Sequence, residues 1–479
     1  MESIWSRETD IPGRKSLQAH IDADVAVIGA GMAGILTAYL LKQQGKNVVV
    51  LEADRIGSGQ TKNTTAKITS QHNLIYSRLQ QEFGPEKAGQ YARANEKAVA
   101  EYRRLIAERS IDCRFEERPA YLYSTEDTAP LEREAKAAAT LGIRAEFTKD
   151  TALPFAVRGS VKFEGQAQFQ PLKFLAALAE ELEIYENTVA TSVEQHQVFS
   201  EEGSVSAPHI VMATHFPFIN TPGYYFMRMH QERSYVLALE GAKPLNGMYL
   251  SVDRDSYSFR DSGPLVLLGG SGHRTGENSA GGHYDQLVRA AAEFYPESRE
   301  VARWSAQDCM TLDGIPYIGR FSPQMKGVYV ATGFGKWGMT SSMVSAMILT
   351  NLILGRRSPY AGVFSPRRFQ LSASAKTLVE DGLKSFKGLA AQYIDMPEDK
   401  LEELPRGQGG IVEYRGKQTA AYVDDTGKPF RLSPKCSHLG CRVEWNPDEH
   451  TWDCPCHGSR FDHTGVVLDG PALEGLPDA

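Results

Sequence analysis

Cysteine is scarce in this chain, with six in 479 residues. Four of the six, together with two of the twelve histidines, fall in two short motifs near the C-terminus. A randomly filled core would not crowd them so. Long apolar runs are missing as well. The longest, Met343 to Leu354, is too short and too polar to cross a bilayer, so it reads as a buried helix. The first ten residues, Met-Glu-Ser-Ile-Trp-Ser-Arg-Glu-Thr-Asp, hold no apolar signal-peptide core, and the cytoplasm is the expected location. Positive charge is not in excess. Lys and Arg number 52 against 59 Asp and Glu, a net charge of −7, which argues against a nucleic-acid partner. No internal repeat and no low-complexity tract occurs. What remains is an ordinary composition, long enough for two to four domains.

The crowded motifs read Cys436-Ser-His438-Leu-Gly-Cys441 and Cys454-Pro-Cys456-His457-Gly-Ser459. Structural zinc sites usually space their ligands as Cys-x(2–4)-Cys and His-x(3–5)-His. Here the pattern is Cys-x-His, fifteen residues, then Cys-x-x-His. That arrangement resembles the ligand set of a Rieske [2Fe–2S] cluster, in which two Cys bind one iron and two His the other. The resemblance implies Cys436, His438, Cys454 and His457 as metal ligands. It also implies a disulfide between Cys441 and Cys456, tying the two cluster loops together. Ser459 stands where respiratory Rieske proteins place a serine that hydrogen-bonds the cluster. Phe461 replaces their tyrosine, which removes one hydrogen bond to sulfur and should lower the potential. Gly470-Pro471-Ala472 resembles the loop that shields the cluster from water.

The other end of the chain carries a nucleotide signal. An apolar strand from Asp24 runs into Gly29-x-Gly31-x-x-Gly34. A helix from about Ile35 to Gln44 follows, then a second strand, Asn47 to Glu52. Each part has a physical reason to be there. Gly29 permits the tight turn, Gly31 allows backbone approach to a pyrophosphate, Gly34 allows close helix–strand packing, and Glu52 can take ribose hydroxyls. These residues alone do not separate FAD from NAD. Three further boxes do: Gly57 to Lys67, Thr311-Leu-Asp-Gly to Gly319, and Gly327 to Thr340. In this order they resemble the D-amino-acid-oxidase/glycine-oxidase superfamily over about residues 20–360.

That resemblance implies FAD. Beyond the first motif, the cofactor would be held by Ser58, Thr65 and Ala66, by Val189, Ala213 and Thr214, and by Gly333, Gly335, Gly338, Met339 and Thr340. The implied fold is α/β, a Rossmann-like FAD domain interleaved with an α+β antiparallel-sheet substrate domain, plus a small all-β Rieske domain. Residues 1–366 would form the oxidoreductase, with FAD parts at about 21–75, 155–215 and 305–366 and substrate parts at about 76–154 and 216–304. A helical linker would occupy 367–395 and the Rieske domain 396–479. Helices are expected at Tyr91–Glu108, Pro130–Leu141 and Leu172–Leu182, a buried strand at Ile210–Thr214, and a β-rich stretch from Tyr235 to Leu268.

Amino-acid-oxidising members of the superfamily clamp the substrate carboxylate with an Arg just before the Thr-x-Asp-Gly box, where a guanidinium fork matches the carboxylate. This chain has Asp308 there, which reverses the charge and favours a cationic nitrogen. Pairing of Asp308 with Arg303 is the structural alternative. Arg228, Arg233, Arg260 and Arg274 remain as other candidate carboxylate clamps. His72 and Lys336 fall in boxes expected near the flavin and are candidate catalytic residues, Lys336 through a positive charge beside the reduced ring. Cys309 reads as a small buried thiol. The expected activity is a flavin-dependent oxidation of an amine or amino-acid-like substrate, with electrons passing through the cluster to an external acceptor. The rivals are an oxidase whose cluster is regulatory and a reductase that feeds electrons to a partner. The reductase would need a second nucleotide site, and Gly269-Gly-Ser-Gly272 has the wrong glycine spacing for one.

Overall fold

The computed structural model describes residues 2–254, 257–368 and 400–479. The expected linker, 367–395, lies almost wholly outside the described residues.

A six-stranded sheet forms the nucleotide half. Its order is Glu183–Tyr185, Val48–Leu51, Val25–Ile28, His209–Met212, Val328–Thr332 and Tyr317–Arg320. The first five strands run parallel and the last pairs antiparallel. Val25–Ile28 and Val48–Leu51 are buried at every position, as strands covered on both faces must be. The helices Met32–Lys42 and Gly338–Ile353 pack against each other beside this sheet. Two glycines allow the first to sit so close. Gly29 has φ +103°, and a Cβ there would stand 2.6 Å from the Ala213 carbonyl oxygen. A Cβ on Gly34 would stand 1.9 Å from the Gly29 carbonyl oxygen.

An eight-stranded sheet forms the second half. Its order is Arg299–Thr311, Met229–Glu240, Leu265–Arg274, Ser258–Ser262, Met248–Ser251, Ala120–Ser124, Gly159–Phe163 and Ala145–Thr148. All neighbours are antiparallel except the pair Met248–Ser251 and Ala120–Ser124. Two sequence boundaries move. Gly159–Phe163 pairs in this sheet although it falls in the 155–215 segment read as nucleotide-binding. Arg299–Thr311 carries the sheet past residue 305. Short apolar runs look alike in either sheet, so the sequence alone could not assign them. The expected helix at Tyr91 begins at Ile75 and runs to Arg109, broken at Gly84 (φ 80°) with Pro85 opening its second piece. Polar residues before Tyr91 hid that first piece.

The C-terminal module consists of two small antiparallel sheets. One holds Gly409–Tyr414, Lys417–Val423 and Pro429–Leu432; the other Glu444–Asn446, Thr451–Asp453, Arg460–Asp462 and Val467–Asp469. Arg415 and Gly416 are both left-handed and close the first hairpin, as a two-residue turn between antiparallel strands requires. Trp445, Trp452, Val443 and Phe461 fill a core of its own. Among the described residues no helix is long and apolar enough to cross a membrane.

The close approach at Gly34 has a direct test. Gly34→Ala forces a methyl group onto a backbone carbonyl, and such overpacking costs about 1–3 kcal/mol. A lower Tm and reduced flavin content on purification are the expected results. A variant with parental values for both would show that the loop has room to spare.

Candidate active site and cluster site

One cavity of about 1360 Å³ opens between the two large sheets. Every residue the sequence assigns to the nucleotide lines it except Gly34, Ala66 and Thr340. Those three shape it from behind. Gly34 packs on the glycine loop. The Ala66 carbonyl accepts from Arg260 Nη1 at 2.8 Å, and Thr340 Oγ1 exchanges hydrogen bonds with the Thr69 backbone at 2.8 and 3.0 Å. Glu52 ends its strand with Oε2 accepting from the Ala30 N–H at 2.6 Å, which ties the acid to the glycine loop. Burial raises its pKa, partly offset by that backbone donor.

Two strands, Met229–Glu240 and Arg299–Thr311, make the cavity's far wall, with Glu232 directly opposite Asp308. Lys336 Nζ lies 3.3 Å from Glu232 Oε2, and His230 Nε2 lies 3.4 Å from Glu232 Oε1. Burial opposes ionisation of Glu232, yet the His230 hydrogen bond and the Lys336 ammonium outweigh it and hold the pKa at about 2. Asp308 has no such partner within bonding distance among the described residues. Burial, helped by Glu232 and opposed by Lys336, pushes its carboxyl up to about 7. Arg303 pairs with Glu300 at 2.6 Å, so it does not neutralise Asp308. The other candidate arginines are occupied. Arg228 holds the Pro366 and Gly223 carbonyls, Arg233 pairs with Glu449, and Arg260 holds the Thr65 and Ala66 carbonyls. Arg274 lines the cavity, and its Nε donates to the Pro455 carbonyl at 3.3 Å.

His72 corrects an expectation. It lines the cavity, but Nδ1 contacts the Tyr91 hydroxyl at 2.6 Å and Nε2 contacts the Thr69 carbonyl at 2.8 Å. Its ring stacks on Trp337 at 4.8 Å. Burial drives its pKa down to about 3. With both nitrogens committed and the ring neutral, His72 is a wall residue and has no free nitrogen for acid–base work. Lys336 reaches the cavity as expected, but as the partner of Glu232. Cys309 lies on the opposite face of its strand, its Sγ against the His215 carbonyl and Gln231 Oε1 at 3.5 and 3.6 Å.

In the C-terminal module the two motifs form facing loops. Cys436 and Cys454 are in thiol–thiol contact, which lowers the Cys436 pKa to about 7 against the pull of burial. The His438 and His457 rings stand 5.0 Å apart at 88°. Burial pushes both imidazoles far down, to about 4 and about 3. Nδ1 of each is buried and without a hydrogen-bond partner among the described residues. Two orphaned imidazole nitrogens beside two adjacent thiols form a two-sulfur, two-nitrogen donor set. A [2Fe–2S] cluster with one His₂ iron and one Cys₂ iron satisfies it. Cys441 and Cys456 form a disulfide with Cα atoms 6.5 Å apart, joining the loops. The Cys454 sulfur lies within 4.8 Å of both. Ser459 Oγ accepts from the Ala472 N–H at 3.0 Å and so fixes the Gly470–Ala472 loop.

Sequence reasoning missed the contacts that this module makes with the rest of the chain. His438 Nε2 bonds Asn220 Oδ1 at 2.8 Å, an arrangement that places the ring proton on Nε2 and leaves Nδ1 its lone pair. Phe226 meets the His457 ring edge-on at 5.6 Å. Val467, Leu468, Gly470, Pro471 and Leu473 line the same cavity as the glycine loop. No local pattern around Asn220 or Phe226 announces these roles. Glu232 lies just before the β-rich stretch expected from Tyr235, and no sequence reading singled it out.

Known proteins match in two blocks. The family model for FAD dependent oxidoreductases (DAO) matches residues 24–352, and that for the Rieske [2Fe-2S] domain matches residues 395–478. The Bacillus subtilis (strain 168) protein YhfW, which carries the words Rieske 2Fe-2S iron-sulfur protein in its name, is 37% identical over 492 residues. The match covers 99% of this chain and 97% of that one. Glycine oxidase from Geobacillus kaustophilus superposes with a TM-score of 0.62 at 19% identity, covering 73% of this chain and 100% of its own. L-proline dehydrogenase from P. horikoshii does so with a TM-score of 0.62 at 18% identity, covering 73% and 98%. At such identity the likeness is one of fold.

The donor set gives a test. His438→Ala and His457→Ala should each abolish the axial Rieske EPR signal while flavin remains bound. Anaerobically purified parent protein that holds zinc and no iron would refute the assignment.

Proposed function

Because the chain belongs to the FAD-dependent oxidoreductase family and carries a Rieske [2Fe–2S] domain, we propose that it oxidises a C–N bond of an amine or amino-acid-like molecule and delivers the electrons through its own cluster to an external one-electron acceptor. When bound, FAD supplies the two-electron acceptor and the cluster a one-electron exit. The observation that carries this reading is the shared cavity, lined by the glycine loop at one end and by residues of the Rieske module at another. Linking the acceptor to the dehydrogenase in one chain raises its effective concentration at the flavin site. The fold relatives are by name a glycine oxidase and an L-proline dehydrogenase, which supports a nitrogen-bearing substrate.

The wall chemistry narrows the substrate to a cation. Lys336 balances Glu232, which leaves Asp308 to meet the substrate's charge. At about 4 Å and an effective dielectric of about 20, a carboxylate attracts a substituted ammonium by about 4 kcal/mol before desolvation is counted. The same carboxylate repels a substrate carboxylate held where the superfamily's Arg would hold it. Anaerobic titration with a panel of amines tests the reading, with flavin bleaching and the reduced-cluster EPR signal followed together. Both signals should respond to the same amine.

Asp308 also sets a pH dependence. Its carboxyl is neutral below about 7 and ionised above, so KM for a protonated amine should fall as pH rises through that value. Asp308→Asn should flatten the profile and raise KM at pH 8 by about tenfold, the equivalent of about 1.4 kcal/mol. Efficient turnover of small zwitterionic amino acids, unaffected by Asp308→Asn or Asp308→Arg, would sink the cationic-substrate reading.

A further inference from the structure

The cavity wall has a second face. Side chains alternate along a strand, so Glu232 and Asp308 point into the cavity while Gln231, Arg233, Gln307 and Cys309 point away from it. The Rieske module reaches round the edge of the wall, where Val467 to Leu473 border the cavity, and packs its cluster loop on this rear face. Gln231 Nε2 donates to the His457 carbonyl at 2.7 Å and to the Gly470 carbonyl at 3.0 Å. Gln307 Nε2 donates to the Gly458 carbonyl at 2.8 Å and to Gln231 Oε1 at 2.7 Å. Gln307 Oε1 in turn accepts from Arg233 Nη1 at 3.2 Å. The two amides are at most 1% exposed. Between them they reach the carbonyls of His457, the residue that follows it, and the shielding loop. Packing there is tight as well, since a Cβ on Gly458 would stand 2.6 Å from Gln231 Cβ.

We propose that Gln231 and Gln307 are positioning residues. They lock the cluster loop to the back of the cavity wall, so that electrons cross a single two-strand partition without any movement of the Rieske module. This inference rests on the proposed flow of electrons from flavin to cluster. A continuous path joins the two faces. The Gly335 N–H, in the glycine box lining the cavity, donates to the Cys309 carbonyl at 2.9 Å. Cys309 Sγ meets Gln231 Oε1 at 3.6 Å, and Gln231 Nε2 meets the His457 carbonyl. Going from the cavity side to a ligand of the cluster therefore takes three hydrogen-bonded contacts and the body of two residues. The redox balance is that of amine oxidation. A CH–NH unit becomes C=N, releasing two electrons and two protons. The protons pass to water. The electrons cross the partition one at a time, and an external one-electron oxidant removes each from the cluster.

A buried amide also makes a specific lock. Its donors have no water to fall back on, so a docked module that loses them leaves carbonyls unsatisfied. Replacing the amide changes docking and leaves Glu232 and Asp308, the carboxylates of the cavity face, in place. That separates this role from one in substrate binding.

The test uses the holoprotein and the variants Gln231→Leu, Gln307→Leu and the near-isosteric Gln231→Glu, which keeps the volume but turns an acceptor toward the His457 carbonyl. Ferricyanide serves as the one-electron oxidant in turnover. Anaerobic stopped-flow absorbance should show an unchanged rate of flavin reduction by the amine and a rate of cluster reduction slowed about tenfold or more, as expected for a buried polar partner lost from a docked equilibrium. Hydrogen exchange across residues 454–473 should rise, while the EPR g-values of the chemically reduced cluster stay parental. Cluster reduction at the parental rate, or exchange that does not change, overturns the lock. A parental cluster that stays oxidised while the amine bleaches the flavin overturns the proposed function and the lock with it. A parental cluster that fills, with Gln231→Glu filling equally fast, overturns the lock alone.

Discussion

Glu449 is the hinge of the whole arrangement. It belongs to the C-terminal module, yet its carboxylate pairs with Arg233 of the cavity wall as well as with Arg460 of its own module. Burial opposes its charge, and the two guanidiniums overrule burial, holding its pKa at about 2. Arg460 continues the chain to Asp453 and Asp469 at 3.1 and 3.0 Å, and Asp469 reaches Gln60 beside the nucleotide cavity at 2.8 Å. Buried ion pairs add little net stability against well-packed apolar groups, but losing one partner costs about 3–5 kcal/mol because the other is stranded. The network therefore matters less for how strongly the modules adhere than for which registration they adopt. Any shift strands a charge.

That registration gives the cavity its boundaries. The eight-stranded sheet supplies the carboxylates, the six-stranded half the glycine loops, and the Rieske module part of the remaining lining. Asn220 and Phe226, from the segment leading into the strand that starts at Met229, cover the histidine edge of the cluster site. Smaller contacts repeat the theme. A Cβ on Gly276 would stand 2.5 Å from Pro455 N, where two backbones meet, and one on Gly281 would stand 2.7 Å from the Pro447 ring at Cγ.

The sequence made the ends of the chain legible and left the middle obscure, for a physical reason. A dinucleotide loop and a cluster loop are local devices: their residues lie within a few positions of one another, and spacing carries the chemistry. Gly29, Gly31 and Glu52 line one cavity, and Cys436, His438, Cys454 and His457 come together. Asp308 was found through its place before the Thr-x-Asp-Gly box, and its exposure to the cavity follows from strand alternation. The Glu232–Lys336 pair could not be read, because it joins residues more than a hundred positions apart. His72 shows the converse. Its box pointed to the pocket, and only the Tyr91 and Thr69 contacts reveal that its nitrogens are spent. The amides at 231 and 307 carry no local signal, for glutamine in a strand is chemically anonymous until its partner is known.

Strand alternation has an evolutionary corollary. Over 231–234 and 305–310, odd and even positions of the wall answer to different masters. Positions 232, 234, 306, 308 and 310 face the cavity, whereas 231, 233, 305 and 307 meet the Rieske module. A lineage can therefore exchange one substrate for another by drift on one side of a pleat while its electron outlet stays under separate selection on the other. A shift of one residue in register would exchange the two sets at a stroke. Insertions within Met229–Glu240 or Arg299–Thr311 should thus be purged even where point changes are tolerated.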